Sequence, residues 1–133
     1  METSGRKWVT SPLMGGIIGS FAGGLTVLVL ESAGHRIFGT VDPTDLASVT
    51  TPMWVSVLVA WVVGSWVGGA VATAWSKTTT LVVGTVVGLV LLAGAMSNMF
   101  VIPHPVWMMV LAVVLMPGAA ILAAKGRIAR HRA

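Results

Sequence analysis

Four long apolar stretches, separated by polar connections, dominate the pattern of this chain. They lie at Leu13–Ser32, Met53–Trp75, Thr80–Phe100 and Val106–Ala124. Each has about 20 residues, the length of α-helix that crosses a hydrocarbon core ~30 Å thick. Apolar residues occupy every side of each stretch, whereas a membrane β-strand would alternate apolar and polar residues. The pattern predicts an all-α, polytopic membrane protein, with one domain over residues 1–133 that forms an antiparallel bundle of four transmembrane helices.

The composition agrees with lipid as the main solvent. Of the 133 residues, 56% are hydrophobic and only 9% are charged, and the mean hydropathy is +0.92. A surface that faces water on all sides needs more charge than this. The chain has no cysteine, which excludes disulfides, thiolate metal ligands and cysteine nucleophiles.

The first apolar stretch has a second interpretation, because Arg6 and Lys7 before it also fit a cleaved signal peptide. The stretch is longer than a usual signal-peptide core, and Glu31-Ser32-Ala33 makes a poor cleavage site. We therefore expect it to remain as a transmembrane helix.

The connections set the order of the helices. Residues 33–52 are polar and rich in turn formers, whereas residues 76–79 and 101–105 form tight turns that force antiparallel neighbours. Pro52-Met53-Trp54 opens the second helix in the way that Pro105-Val106-Trp107 opens the fourth. The chain is interpreted either as two parallel hairpin repeats or as a bundle in which Pro-x-Trp is a common interfacial anchor.

The basic residues indicate the orientation in the membrane. If both termini are cytoplasmic, that side holds every lysine and arginine except Arg36, as the positive-inside rule requires. Orientation then explains the formal net charge of +4, so we expect membrane lipids and no nucleic acid as partners. The basic run from Lys125 to Arg132 fits a stop-transfer anchor better than a site for anionic lipid headgroups.

Glycines recur at intervals of four residues in the first three helices. These glycines are Gly15, Gly19, Gly23, Gly64, Gly68, Gly84 and Gly88. Such spacing places small residues on one helix face, where backbones can approach closely. We expect close helix packing at these positions, either within the chain or between copies in a homo-oligomer. Pro117-Gly118 is expected to kink the fourth helix.

Few ionisable or polar groups lie near the predicted spans, and those that do share the extracytoplasmic side. Glu31 and His35 are four residues apart, so they share a face if the first helix continues past Gly34. His104 lies between two prolines, and Asn98 ends the third helix. These four polar residues form a candidate binding site for an ion or for proton-coupled transport.

Other interpretations of the same residues stay open. Glu31 can instead pair with His35 or Arg36 and cap the bundle, while His104 only turns the chain. A metal site would use Glu31, His35 and His104 as ligands, but the His-Glu-x-x-His pattern of zinc proteases is absent. Methionines near His104 suit Cu(I), although they equally fill apolar gaps. These methionines are Met96, Met99, Met108 and Met109.

The segments Leu30–Phe38 and Ile102–Met108 resemble stretches of a family of small uncharacterised bacterial four-helix membrane proteins, and the likeness extends over most of the chain. It implies a bacterial inner-membrane location and draws attention to Glu31, the histidines of both segments and Trp107, but it lends no activity. The chain also resembles small multidrug-resistance transporters in its four helices, glycine-rich packing and first-helix glutamate. Here that glutamate lies near the membrane edge rather than its middle.

Together these features predict a small bacterial inner-membrane protein that serves as a transport or ligand-binding component with an extracytoplasmic polar site. The alternative is a structural or lipid-interacting oligomeric membrane protein with no such site. No enzymatic activity and no cofactor are expected, because the sequence shows neither a nucleophile nor a firmly held metal in a protected cavity.

The orientation is tested with topology reporters. A reporter fused after Ala133 is expected to be active in the cytoplasm, and one inserted at Asp42 is expected to be active outside, because the basic residues divide between the two sides in that way. Activity of both reporters on the same side would contradict the prediction.

Overall fold

Four long helices account for most of the computed structural model, which describes residues 11–40, 42 and 44–132, the last of these by its backbone only. Helix α1 is Pro12–Phe38, α2 is Thr51–Ser76, α3 is Val82–Val101 and α4 is Val106–Arg132. A single turn of 3₁₀-helix, Leu46–Ser48, lies in the connection between α1 and α2. The described residues contain no strand, so the predicted all-α four-helix bundle is confirmed. Arg6 and Lys7, which enter the orientation argument, lie outside the described residues.

All four helices are long and apolar enough to cross a membrane. Their most apolar 18-residue windows have mean hydropathies of 1.9 to 2.4. Large apolar side chains such as Phe21 and Val114 are exposed on the outer faces of the bundle, as expected of a surface that faces lipid. The chain is therefore a multi-pass membrane protein.

Two helices extend at least six residues beyond the apolar stretches that predict them. The first continues six residues past Ser32 and ends where the Gly39 N–H donates to the carbonyl of His35. Gly39 has φ of +97°, a conformation that glycine adopts without strain. The last helix continues past Ala124 to Arg132. Hydropathy marks where a helix enters water, but backbone hydrogen bonding does not stop at that boundary.

Local contacts explain the ends of α1 and the connection after it. Ser11 caps the helix by accepting a hydrogen bond from the Met14 N–H at 3.2 Å, and Pro12 occupies the first turn. In the connection, the Asp42 carboxylate accepts hydrogen bonds from the Thr44 N–H and hydroxyl at 2.8 and 2.6 Å. These two bonds hold the pKa of Asp42 below its ordinary value.

Helix α2 is the central element, because it is the most buried of the four helices and packs against each of the other three. Its half near the α1–α2 connection contributes large buried side chains, among them Trp54 and Trp61, which pack against Met108 and Met116 of α4. Its other half is buried mainly through small residues. We call the end of the bundle that holds the α1–α2 connection the loop end, and the opposite end the terminal end.

The predicted glycine packing is found within the chain. An added Cβ at Gly19 would lie 2.5 Å from the Cβ of Ala72 and 2.6 Å from the Gly68 carbonyl oxygen, closer than side chains tolerate. Gly15, Gly23, Gly64 and Gly68 likewise face the α1–α2 contact, and Gly84 and Gly88 face Ala120 or Ala124 of α4. The close packing at Gly69 was not predicted: a Cβ added there would lie 2.5 Å from the Ala120 carbonyl oxygen. Close backbone approach therefore joins α1 to α2, and α4 to both α2 and α3.

The two Pro-x-Trp segments have unlike surroundings. Trp54 is 7% exposed and belongs to the core, whereas Trp107 is 40% exposed on the outside of α4. A duplication of the two hairpins stays a prediction, and its two tryptophans are not equivalent in the fold.

Helix α4 runs without interruption through Pro117.

The glycine contact is tested by adding one methyl group. Gly19→Ala is expected to lower the melting temperature in detergent by several degrees, because overpacking a close contact costs about 1–3 kcal/mol. Gly16→Ala, on the same helix, and Gly94→Ala should not lower it, since no atom of the described residues lies within 4 Å of a Cβ at either position. Equal effects of Gly19→Ala and Gly16→Ala would show that this face of α1 does not make the contact.

Candidate functional site

Glu31 and His35 lie on the same helix, because α1 continues without a break to Phe38. Gly34 between them is buried, and an added Cβ there would lie 2.9 Å from the Ser56 hydroxyl oxygen of α2. The lack of a side chain at Gly34 thus holds this end of α1 against α2. Both polar side chains are half-buried and face the bundle, as the four-residue spacing predicts.

The Glu31 carboxylate is held by a tryptophan. The indole Nε1–H of Trp61 donates to Glu31 Oε1 over 2.6 Å, and Trp61 is only 2% exposed. A hydrogen bond to a carboxylate is stronger than one between neutral groups, and more so where water is excluded. The alternative in which Glu31 pairs with Arg36 does not match this arrangement, because Arg36 is exposed and Trp61 is the partner.

Trp61 was not predicted as part of the site, although the register of the glycine contact points to it. In an antiparallel pair, steps up one helix match equal steps down the other. Gly19 lies against Ala72, so 12 residues further along α1 and 12 residues back along α2 place residue 31 beside residue 60. Pairing α1 and α2 in this register therefore places Glu31 next to Ala60 and to Trp61, the residue that follows Ala60.

His104 is held by its own turn and by two aromatic rings. Its Nδ1 makes a short hydrogen bond with the Ile102 carbonyl oxygen. Because a carbonyl only accepts, Nδ1 is the donor in this bond. The imidazole lies 4.8 Å from the Trp54 ring and 5.5 Å from the Trp61 ring, centroid to centroid. The histidine is thus part of the packing and not a loose turn residue.

The four predicted residues meet around one small cavity of about 90 Å³. Glu31, His35, Asn98 and His104 line it, and we call these four residues the polar cluster. They come from α1, α3 and the α3–α4 turn, so the cavity exists only in the folded bundle. Trp54, Val57 and Ile102 complete its wall.

A second, larger cavity of about 310 Å³ adjoins the first, since Glu31 and Asn98 line both. Its remaining wall is almost entirely apolar and includes Trp61, Leu91 and Met116. No lysine or arginine lines either cavity. The Glu31 carboxylate therefore stands between a small polar space, which His35 and His104 also line, and a larger apolar one.

The geometry gives no support to the metal hypotheses. Across the described ranges, no three His, Cys, Asp or Glu side chains are grouped to hold a metal ion, although Glu31, His35 and His104 share a cavity. The methionines proposed for copper divide between core and surface: Met108 is fully buried and Met96 is exposed. Met108 serves to fill the apolar interior.

Comparisons with protein families, with curated proteins and with solved structures find no match to this chain. The family resemblance of the two polar segments therefore stays a prediction from the sequence, and the functional argument depends on the site itself.

Proposed function

We propose that this protein binds small organic cations at the polar cluster, as a solute-binding or transport component of a bacterial inner membrane. The observation that carries the proposal is the Glu31 carboxylate, which faces two adjoining cavities without a lysine or arginine in either wall. A carboxylate near the hydrocarbon core is costly when it is charged and unpaired, so a ligand of opposite sign is favoured there.

The two cavities fit the two parts of such a ligand. The smaller space beside Glu31 and Asn98 suits an ammonium group, and the larger one suits a hydrocarbon body of modest size. Trp54 in the wall of the smaller cavity adds cation–π attraction, which strengthens where water is excluded. A ligand that is cationic at one end and apolar at the other satisfies both walls.

The same proposal includes the orientation. Lys77 ends α2, and Lys125, Arg127 and Arg130 follow the apolar part of α4, so these basic residues share the terminal end of the bundle. Arg36 alone lies at the loop end among the described lysines and arginines. The positive-inside rule supports cytoplasmic termini and a polar cluster that opens to the extracytoplasmic side.

A purely structural role is the second candidate, and the Glu31–Trp61 hydrogen bond favours it. In that case the carboxylate only fastens α1 to α2, and the cavities are packing gaps. The two candidates differ in what happens when the charge is removed but the hydrogen bond is kept, since Glu31→Gln leaves an amide oxygen that can still accept from Trp61.

Binding is tested with phenyltrimethylammonium, followed by tryptophan fluorescence because Trp61 lines the site. Wild-type protein in detergent is expected to bind this cation in preference to its neutral isostere, tert-butylbenzene. Glu31→Gln should weaken binding at least about tenfold, since a charged contact in a desolvated site is worth about 1.5–3 kcal/mol.

Asp42→Asn is the matched control, because it removes one exposed carboxylate from the same end of the bundle and should leave the affinity unchanged. Equal binding of the cation and its neutral isostere, or equal affinity in Glu31→Gln, would favour the structural role.

A further inference from the structure

A second small cavity lies at the opposite end of the molecule, between α2 and α4. It has a volume of about 90 Å³ and is lined by both positively charged and apolar residues. The lining residues used below are Trp66, Ala70, Leu122, Gly126, Arg127 and Arg130. We call this space the arginine pocket; none of its residues belongs to the polar cluster.

Among the described residues, no acidic side chain lines the arginine pocket. Arg127 and Arg130 are three residues apart on α4, so they share a face, and both are exposed. The carboxylates in the described part of the chain are Glu31, Asp42 and Asp45, and all three lie at the loop end. Two guanidinium groups thus line one cavity, and none of the carboxylate side chains in the described residues lies there to pair with them.

The other side of the arginine pocket is apolar and reaches into the membrane-spanning part of the bundle. Trp66 lies ten residues before the end of α2 at Ser76, which is about 15 Å along a helix. Trp66 and Leu122 are 52% and 66% exposed, so hydrocarbon is their natural surroundings. Gly126 has nothing within 4 Å of an added Cβ, which leaves space beside the helix where the arginines begin.

We propose that the arginine pocket binds one anionic phospholipid, with its phosphate on Arg127 and Arg130 and an acyl chain along Trp66 and Leu122. Guanidinium groups match phosphate oxygens with paired donors. A free phosphate or an acidic protein segment would use the arginines but not the apolar wall, which lies at the depth of the hydrocarbon core. A lipid is the occupant that satisfies both sides.

This site differs from a simple basic anchor at the membrane surface. An anchor depends on the number of positive charges near the headgroups, so Lys125 would matter as much as either arginine. Binding at a specific site instead depends on where each charged side chain lies. Lys125 is exposed on the same helix but does not line the arginine pocket, which makes it a matched control of equal charge.

Native mass spectrometry of the full chain in neutral detergent measures the binding directly. Dioleoyl phosphatidylglycerol and dioleoyl phosphatidylcholine, which share acyl chains, are titrated separately. One phosphatidylglycerol should bind at least about tenfold more tightly than phosphatidylcholine. Arg127→Gln and Arg130→Gln should each weaken its binding about tenfold, whereas Lys125→Gln should weaken it by no more than about threefold.

Two further arms separate the sources of the effect. Glycerol 3-phosphate should not compete with the lipid at millimolar concentration, because it lacks the acyl chain; competition would assign the site to free phosphate. Trp66→Ala should weaken the binding of phosphatidylglycerol without changing the preference for phosphatidylglycerol over phosphatidylcholine. No preference between the two lipids, or an equal loss in Lys125→Gln and Arg127→Gln, would overturn the proposal and leave a surface anchor.

Discussion

The close contact between α1 and α2 is the constraint on which the rest of this structure depends. Inside a membrane, apolar side chains gain nothing by leaving lipid for protein, so helices associate through backbone approach and dispersion. Gly19, Gly23, Gly64 and Gly68 allow that approach because each presents only hydrogen to the neighbouring helix. The contact fixes one antiparallel register, and that register places Glu31 beside Trp61.

The register explains how the Glu31 carboxylate is held between the helices. Its oxygen accepts a hydrogen bond from Trp61, and its open sides face the two cavities. Trp61 in turn packs against His104, which its own backbone turn holds in place. The polar cluster therefore forms because segments that are distant in the sequence pack together, and not because of the local sequence around any one member.

The sequence predicted most of the fold because lipid imposes simple rules. Four apolar stretches gave four helices, and the glycine spacing gave the packing faces. The extensions of α1 to Phe38 and of α4 to Arg132 were missed, since hydropathy reports the environment of a helix and not its hydrogen bonds. Gly69 was missed because it stands outside the four-residue spacing, and its partner on α4 is distant in sequence.

The four members of the candidate site were predicted as one site, but the tryptophans that hold Glu31 and His104 were not. Glu31, His35, Asn98 and His104 stood out because ionisable and polar groups are rare in this chain. Their convergence required the register of α1 on α2 and the position of the α3–α4 turn, and both are long-range features. The aromatic contacts of His104 could not be inferred, because tryptophans in membrane helices serve packing and interfaces equally well.

The most direct test of the central claim is the NMR resonance of the Trp61 indole N–H in ¹⁵N-labelled protein. That resonance is assigned by its loss in Trp61→Phe, and it should move when Glu31→Gln removes the charge of the acceptor. It should also move in Gly23→Ala, where Glu31 is intact but an added Cβ would lie 2.7 Å from the Gly64 carbonyl oxygen, and stay unchanged in Gly16→Ala. A Trp61 resonance in Gly23→Ala identical to that of wild type would contradict the claim that the glycine contact positions the site.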